Sequence, residues 1–107
     1  MLTPMPEDER TVPLADLFRL LGDPTRLRIV LACVDARLPV GAIADALGLS
    51  SSLVSHHLRL LRAARIVKAE RAGKQVFYAA ADQHISAMLA GMLEHVAEPV
   101  AEPVEDA

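Results

Sequence analysis

Residues 43–66, IADALGLSSSLVSHHLRLLRAARI, decide how this chain folds. Ile43, Ala44 and Leu47 make a short apolar helix that Gly48 stops, and Leu49 tucks under the turn. A run of serines, any of which can cap a helix, opens a second one. Along it Val54, Leu58 and Leu61 recur at i, i+4 and i+7, which makes one buried stripe. Ser51, Ser52, Ser55, His56, Arg59 and Arg62 fall mostly on the other side, with no carboxylate among them. Hydroxyls, an imidazole and guanidiniums can meet phosphates and base edges without repelling a nucleic-acid backbone. Taken alone, the same face also reads as plain solvated helix surface.

The segment that follows favours DNA. Val67–Arg71 and Gln75–Tyr78 are β-rich runs on either side of a basic, Gly-containing turn, which is a hairpin signal. A helix-turn-helix followed by a hairpin with Arg71 and Lys74 at its tip is a winged-helix arrangement. Its second helix enters the major groove while the wing reaches the adjoining backbone or minor groove. Between residues 51 and 74 six cations stand against Glu70 alone, a net +5 inside a chain of formal net charge −3. A basic centre in an acidic protein is the electrostatic footprint of DNA binding. The expected contacts are Ser51, Ser52, Ser55, His56 and Arg59 on the helix, with Arg71 and Lys74 on the wing.

At 107 residues the chain is read as one domain with a modest core, and small domains of this kind often complete their core by dimerising. A single cysteine leaves no intramolecular disulfide framework, and Cys33 reads as a small buried hydrophobe. Met1 to Arg10 is polar and acidic, unlike a secretory signal, and no apolar run approaches the roughly 20 residues of a membrane span. The expectation is a cytoplasmic protein with no membrane partner. There is no Gly-rich phosphate loop and no nucleophile beside a plausible base, so an enzyme is not expected.

In chain order, residues 1–12 read as a loose arm, 13–98 as the folded domain and 99–107 as an acidic tail. A first helix is expected from about Pro13 to Leu21, ended by Gly22. Asp23-Pro24 opens the second, with Asp as cap and Pro at the first helical position. Pro39 opens the helix that leads into residues 43–66. The predicted fold is mainly α with a small β-hairpin, a winged helix-turn-helix of order α-α-α-α-β-β-α. Ala97–Val100 and Ala101–Val104 form a short tandem repeat, to which no function is assigned.

Gly-Asp-Pro-Thr-Arg at 22–26, Val-Ser-His-His-Leu at 54–58 and the Gly73 wing together resemble the ArsR/SmtB family of metal-responsive repressors, over roughly residues 14–98. The resemblance implies a homodimer that binds an operator when ligand-free and releases it on binding an inducer. Its seam is expected from Met88, Leu89, Met92 and Leu93 of the last helix with Leu14, Leu17 and Phe18 of the first.

The last helix carries the candidate metal ligands. Asp82 is a plausible N-cap with His84 in the first turn, and His95 and Glu98 stand near the far end. From His84 to His95 is 11 residues, or three turns, so the imidazoles share a side of the helix but lie about 16 Å apart. Metal ligands each sit about 2 Å from their ion, so one chain cannot close such a site. Two helices antiparallel about a two-fold axis can, with Asp82 and His84 of one meeting His95 and Glu98 of the other, twice over. Read singly, Asp82 is a cap, His84 a first-turn polar residue, and His95 with Glu98 a solvated end. Against that, a carboxylate at a helix C-terminus is disfavoured unless a cation compensates it. The Asp-x-His and His-x-x-Glu pattern is also similar to the family's last-helix zinc site.

Some relatives carry Cys-x-Cys-Asp before the recognition helix; here those positions are Pro39, Gly41 and Ala42, which argues against a soft-ligand sensor. Two imidazoles and two carboxylates suit tetrahedral Zn(II) and leave no open position, with Co(II) binding similarly but less tightly. The expected function is a zinc-responsive repressor of an operator inverted repeat in double-stranded DNA. Its rivals are a family member with another inducer, Co(II), Ni(II) or non-metal, and a metal-buffering or interaction dimer that does not bind DNA.

Overall fold

A computed structural model of the chain describes residues 7–100. The elements are α1 (Glu7–Leu21), α2 (Pro24–Val34), β1 (Leu38–Pro39), α3 (Val40–Leu47), α4 (Ser51–Ala63), β2 (Val67–Ala72), β3 (Gln75–Ala80) and α5 (Gln83–Ala97).

Local chemistry sets most of the boundaries. The Asp23 carboxylate accepts from the Arg26 amide at 2.9 Å, and Pro24 follows where a missing N–H costs nothing. Gly48 takes φ +68° and ends α3, a left-handed conformation that side-chain-bearing residues avoid. Of the serine run, Ser50 is the cap of α4: its hydroxyl accepts from the Leu53 amide at 3.1 Å. The end of α4 is less usual. Arg65, at φ +63°, is the only described non-glycine residue with positive φ, and it occupies the place a glycine commonly takes. Its amide donates to the Arg62 carbonyl at 3.0 Å and the Ile66 amide to the Leu61 carbonyl at 2.9 Å, the two bonds of a Schellman motif.

The predicted stripe is the centre of the core. Val54, Leu58 and Leu61 are fully buried against Ile29 and Val30 of α2 and Ile43 of α3. Burying each such side chain contributes about 1.5–3 kcal/mol, so α4 is fixed from its apolar side while its polar side stays free. Cys33 lies in the same core, and burial pushes its thiol pKa up to about 11.

Three features depart from the sequence reading. First, α1 begins at Glu7, so residues 7–12 of the expected arm are helical; residues 1–6 lie outside the described residues. Pro13 sits within the helix rather than at its start. It forgoes one backbone bond there, because its ring nitrogen carries no N–H. Second, the hairpin is part of a three-stranded sheet of order β1-β3-β2. Leu38 pairs with Tyr78 and Pro39 with Phe77, and Pro39 also precedes α3 as its N-cap residue. A two-residue strand shows no periodicity, and proline is tolerated because this strand is at the sheet edge. Third, Leu89 is only 6% exposed and belongs to the chain's own core, so it is not free to form the seam expected of it.

Candidate nucleic-acid interface and metal centre

The polar side of α4 is laid out as the helix period requires. Ser51, Ser52, His56 and Arg59 are exposed, Ser55 is half-buried, and no carboxylate lies within α4. His57, next along, turns inward. Its Nδ1 accepts from the Arg26 Nε–H at 3.3 Å, and its ring meets that of His56 edge-on with centroids 5.4 Å apart. Desolvation lowers the His57 pKa and the Arg26 charge lowers it further, while Asp23 pulls the other way. The sequence reading placed only His56 on the polar face, and His56 is exposed while His57 is half-buried. The spacing accounts for the difference, since His57 lies one position before Leu58 of the stripe and three after Val54.

Gly73 supplies the positive φ, +64°, at the first central position of the two-residue turn between β2 and β3. Arg71 and Lys74 stand exposed at this tip. The cation count overstates what the wing can offer. Lys68 pairs with Glu70 at 3.1 Å, Arg37 approaches the same carboxylate at 3.5 Å, and the Arg37 guanidinium lies 4.9 Å over the Phe77 ring. The hydrogen bond and charge of Lys68, with Arg37 adding, hold the Glu70 carboxyl below its usual range. Lys68 is thereby neutralised, and the uncompensated charge is concentrated on α4 and the tip.

On α5 the four expected ligands fall into two pairs. Asp82 caps the helix by accepting from the Ile85 amide at 3.1 Å, and its Oδ1 lies 3.5 Å from His84 Nδ1. That amide bond, with His84 nearby, lowers the Asp82 pKa. At the other end His95 Nδ1 is 3.5 Å from Glu98 Oε1. All four side chains are exposed, and among the described residues no single group of three or more His, Cys, Asp or Glu is assembled for an ion. Each pair joins one imidazole nitrogen to one carboxylate oxygen, so two pairs give the N₂O₂ set that tetrahedral zinc accepts. The one cysteine is buried and protonated, so a thiolate donor is absent from the whole chain.

Leu14 and Phe18 of α1 and Met92, Leu93 and Val96 of α5 are each more than half exposed. Among the described residues no helix is long and apolar enough to cross a membrane.

Residues 23–69 match the profile of the family described as bacterial regulatory protein, arsR family. The chain is 40% identical over 82 residues to a transcriptional repressor SmtB homolog of a Synechocystis strain, covering 77% of this chain and 62% of that repressor. It therefore spans less than two thirds of that relative's length. To the HTH-type transcriptional regulator CmtR of Mycobacterium tuberculosis it is 44% identical over 85 residues, 79% of this chain and 72% of CmtR. The NMR structure of CmtR, titled a cadmium metal-sensor, superposes with a TM-score of 0.68 at 42% identity, over 85% of this chain and 95% of that one. A homodimeric winged helix-turn-helix domain, Mb0332 of Mycobacterium bovis, shares the fold at 24% identity with a TM-score of 0.76, over 91% of this chain and 90% of that one. By name the SmtB homolog and CmtR are transcriptional regulators.

Proposed function

The chain belongs to the bacterial ArsR family of regulatory proteins, and from that premise we propose that it is a metal-responsive transcriptional repressor whose inducer is zinc. The observation that carries the metal reading is the split of the ligands into two half-sites at opposite ends of α5. A homodimer through α1 and α5 is favoured by the apolar side chains those helices leave in water, a feature monomeric proteins keep small. Within such a dimer, antiparallel α5 helices set Asp82 and His84 of one copy against His95 and Glu98 of the other.

The donors decide between metals. The relative CmtR is titled a cadmium sensor, but this chain has only nitrogen and oxygen ligands to offer, with its lone thiol sealed in the core. That set favours zinc over a soft ion, with cobalt as a weaker mimic. A bound ion would supply a cross-link between the two subunits. His95 and Glu98 of each chain would thereby fix the relative position of the two α5 helices. The α4 helices, carried on the same rigid cores, would be held at a separation that no longer fits successive major grooves. Ser51, Ser52, Ser55, His56 and Arg59 would then leave the half-sites, and Arg71 and Lys74 the flanking phosphates. Such a regulator works in the cytoplasm, on double-stranded operator DNA.

The direct test is fluorescence anisotropy of the chain on a labelled inverted repeat from its own promoter. Zinc should release the wild type, and operator DNA should weaken zinc binding by the same factor. Release by cadmium at lower concentrations than zinc would refute the metal assignment. Failure to bind the operator without metal would refute the repressor itself.

A further inference from the structure

An open groove of about 1050 Å³ lies between the C-terminal half of α1, the end of α4 and the start of α5. Leu20, Leu60 and Ile85 give it an apolar lining, and Asp82 and His84 are part of its wall. A smaller hollow of about 380 Å³ shares Arg65 and Asp82 with it and adds Arg62. Two other groove arginines are engaged: Arg19 with Asp16 and Arg26 with His57. Arg62 and Arg65 make no ion pair among the described residues, so the two hollows together form a partly apolar trough with two unpaired guanidiniums on its wall beside the Asp82 carboxylate.

The chain carries a segment of matching chemistry. After α5 the sequence runs Glu98-Pro99-Val100-Ala101-Glu102-Pro103-Val104-Glu105-Asp106, a twice-repeated Glu-Pro-Val unit followed by two more acids. It alternates small apolar side chains with carboxylates and has no cation to offset them. Proline disfavours helix at the residue before it, and Glu98 is already extended at φ −65°, ψ 143°. We propose that this acidic tail of each subunit lies in the groove of the other, its valines on the apolar lining and its carboxylates on Arg62 and Arg65.

The inference rests on the antiparallel α5 pairing proposed above, which delivers Glu98 of one copy to Asp82 and His84 of the other, at the wall of the trough. From there Glu98 to Val104 reaches about 19 Å at the extended rise of 3.1 Å per residue. The chain's own tail fits less well. It starts about 22 Å from the groove, the length of α5, and would spend about seven residues returning. The tail thus becomes a second clasp beside the metal ligands, and the repeat acquires a role.

Disulfide trapping in the full chain tests this. Ala63 lines the groove and Ala46, on α3, does not. Cys33 can stay in place, since burial keeps its thiol protonated. With Ala63→Cys and Val104→Cys together, oxidised glutathione should shift the non-reducing gel band from 11.5 kDa to about twice that mass, more so with zinc and less in 1 M salt. Neither single variant should do so. Equal trapping with Ala46→Cys in place of Ala63→Cys would overturn the proposal, as would a cross-linked band of monomer mass, which would place the tail on its own chain. Sedimentation of the reduced protein separates the failures. A dimer that does not trap selectively refutes the tail contact alone, whereas a monomer refutes the dimer beneath it as well. If DNA phosphates rather than the tail occupied the trough, trapping would be absent without operator, and that too would overturn it.

Discussion

The Nε–H of Arg26 reaches Nδ1 of His57 at 3.3 Å, joining the first turn of α2 to the middle of α4. An accepting Nδ1 means a neutral ring with its proton on Nε2. A second proton would turn that nitrogen into a donor facing a guanidinium.

Desolvation of the His57 ring, with the Arg26 charge beside it, makes stability depend on pH with a definite sign. The folded state lowers the His57 pKa from its ordinary 6.5, so below that value the unfolded chain binds the proton more readily. The contribution is full above about 6.5 and is lost as pH falls through the lower folded value. The urea midpoint of the wild type should therefore drop between about pH 7 and pH 5 by more than that of His57→Gln. Parallel curves would show that the burial of His57 beside Arg26 carries no weight.

For the metal site the sharpest material is a mixed dimer, one chain His84→Asn and the other His95→Asn. In the antiparallel arrangement one site loses both imidazoles and the second keeps both, so one zinc per dimer should bind with wild-type affinity in a chelator competition. His95→Asn in both chains should still bind operator but no longer release it with zinc. Loss of all tight zinc from the mixed dimer would mean that the ligands are not shared between subunits.

On the DNA face, Lys74→Ala should weaken binding to every sequence and reduce the salt slope by about 1. Ser55→Ala with His56→Ala should instead lose affinity mainly for the cognate operator, by about 1–3 kcal/mol per base contact removed. Anisotropy with specific and scrambled DNA at several salt concentrations distinguishes them. An unchanged operator affinity in the double variant would take these two residues out of the interface.

Leu89 and Leu93 lie on the same helix and should fail differently. Leu89 is in the core, so Leu89→Ala should cost about 2–4 kcal/mol in urea unfolding. Leu93 is 51% exposed, so Leu93→Glu should leave the fold intact and produce a monomer in sedimentation. A folded dimer in the second case would place the seam elsewhere.

Much of this was legible in the sequence because the signals were periodic or chemical. The Val54, Leu58, Leu61 stripe, the Asp23-Pro24 start and the Asp82 cap each state a physical requirement in residue type and spacing. What escaped were features set by tertiary packing. The turn at Arg65 has no glycine to mark it, since the Schellman bonds and the burial of Leu61 and Ile66 impose a conformation that costs about 1–2 kcal/mol in isolation. Leu89 and Leu93 differ by one helical turn and by nothing in composition, so only the packing of α5 tells core from surface. The pairing of Lys68 with Glu70 was likewise hidden in a net charge, which counts cations without asking which are spoken for.

The short strand β1 bears on where regulation can reside. Because Leu38 and Pro39 pair with β3 while Pro39 also leads directly into α3, the wing is stitched to the reading head on the side away from its own hairpin partner. A flap hinged only at residues 66 and 81 could tilt independently and grade its grip on DNA; this one is braced against the scaffold that carries α4. In the mechanism proposed above, each subunit would act as a stiff caliper jaw of fixed internal shape. What is left to adjust is the opening between two jaws, so one half-site should be gripped equally well in either state and only the paired sites should register the signal.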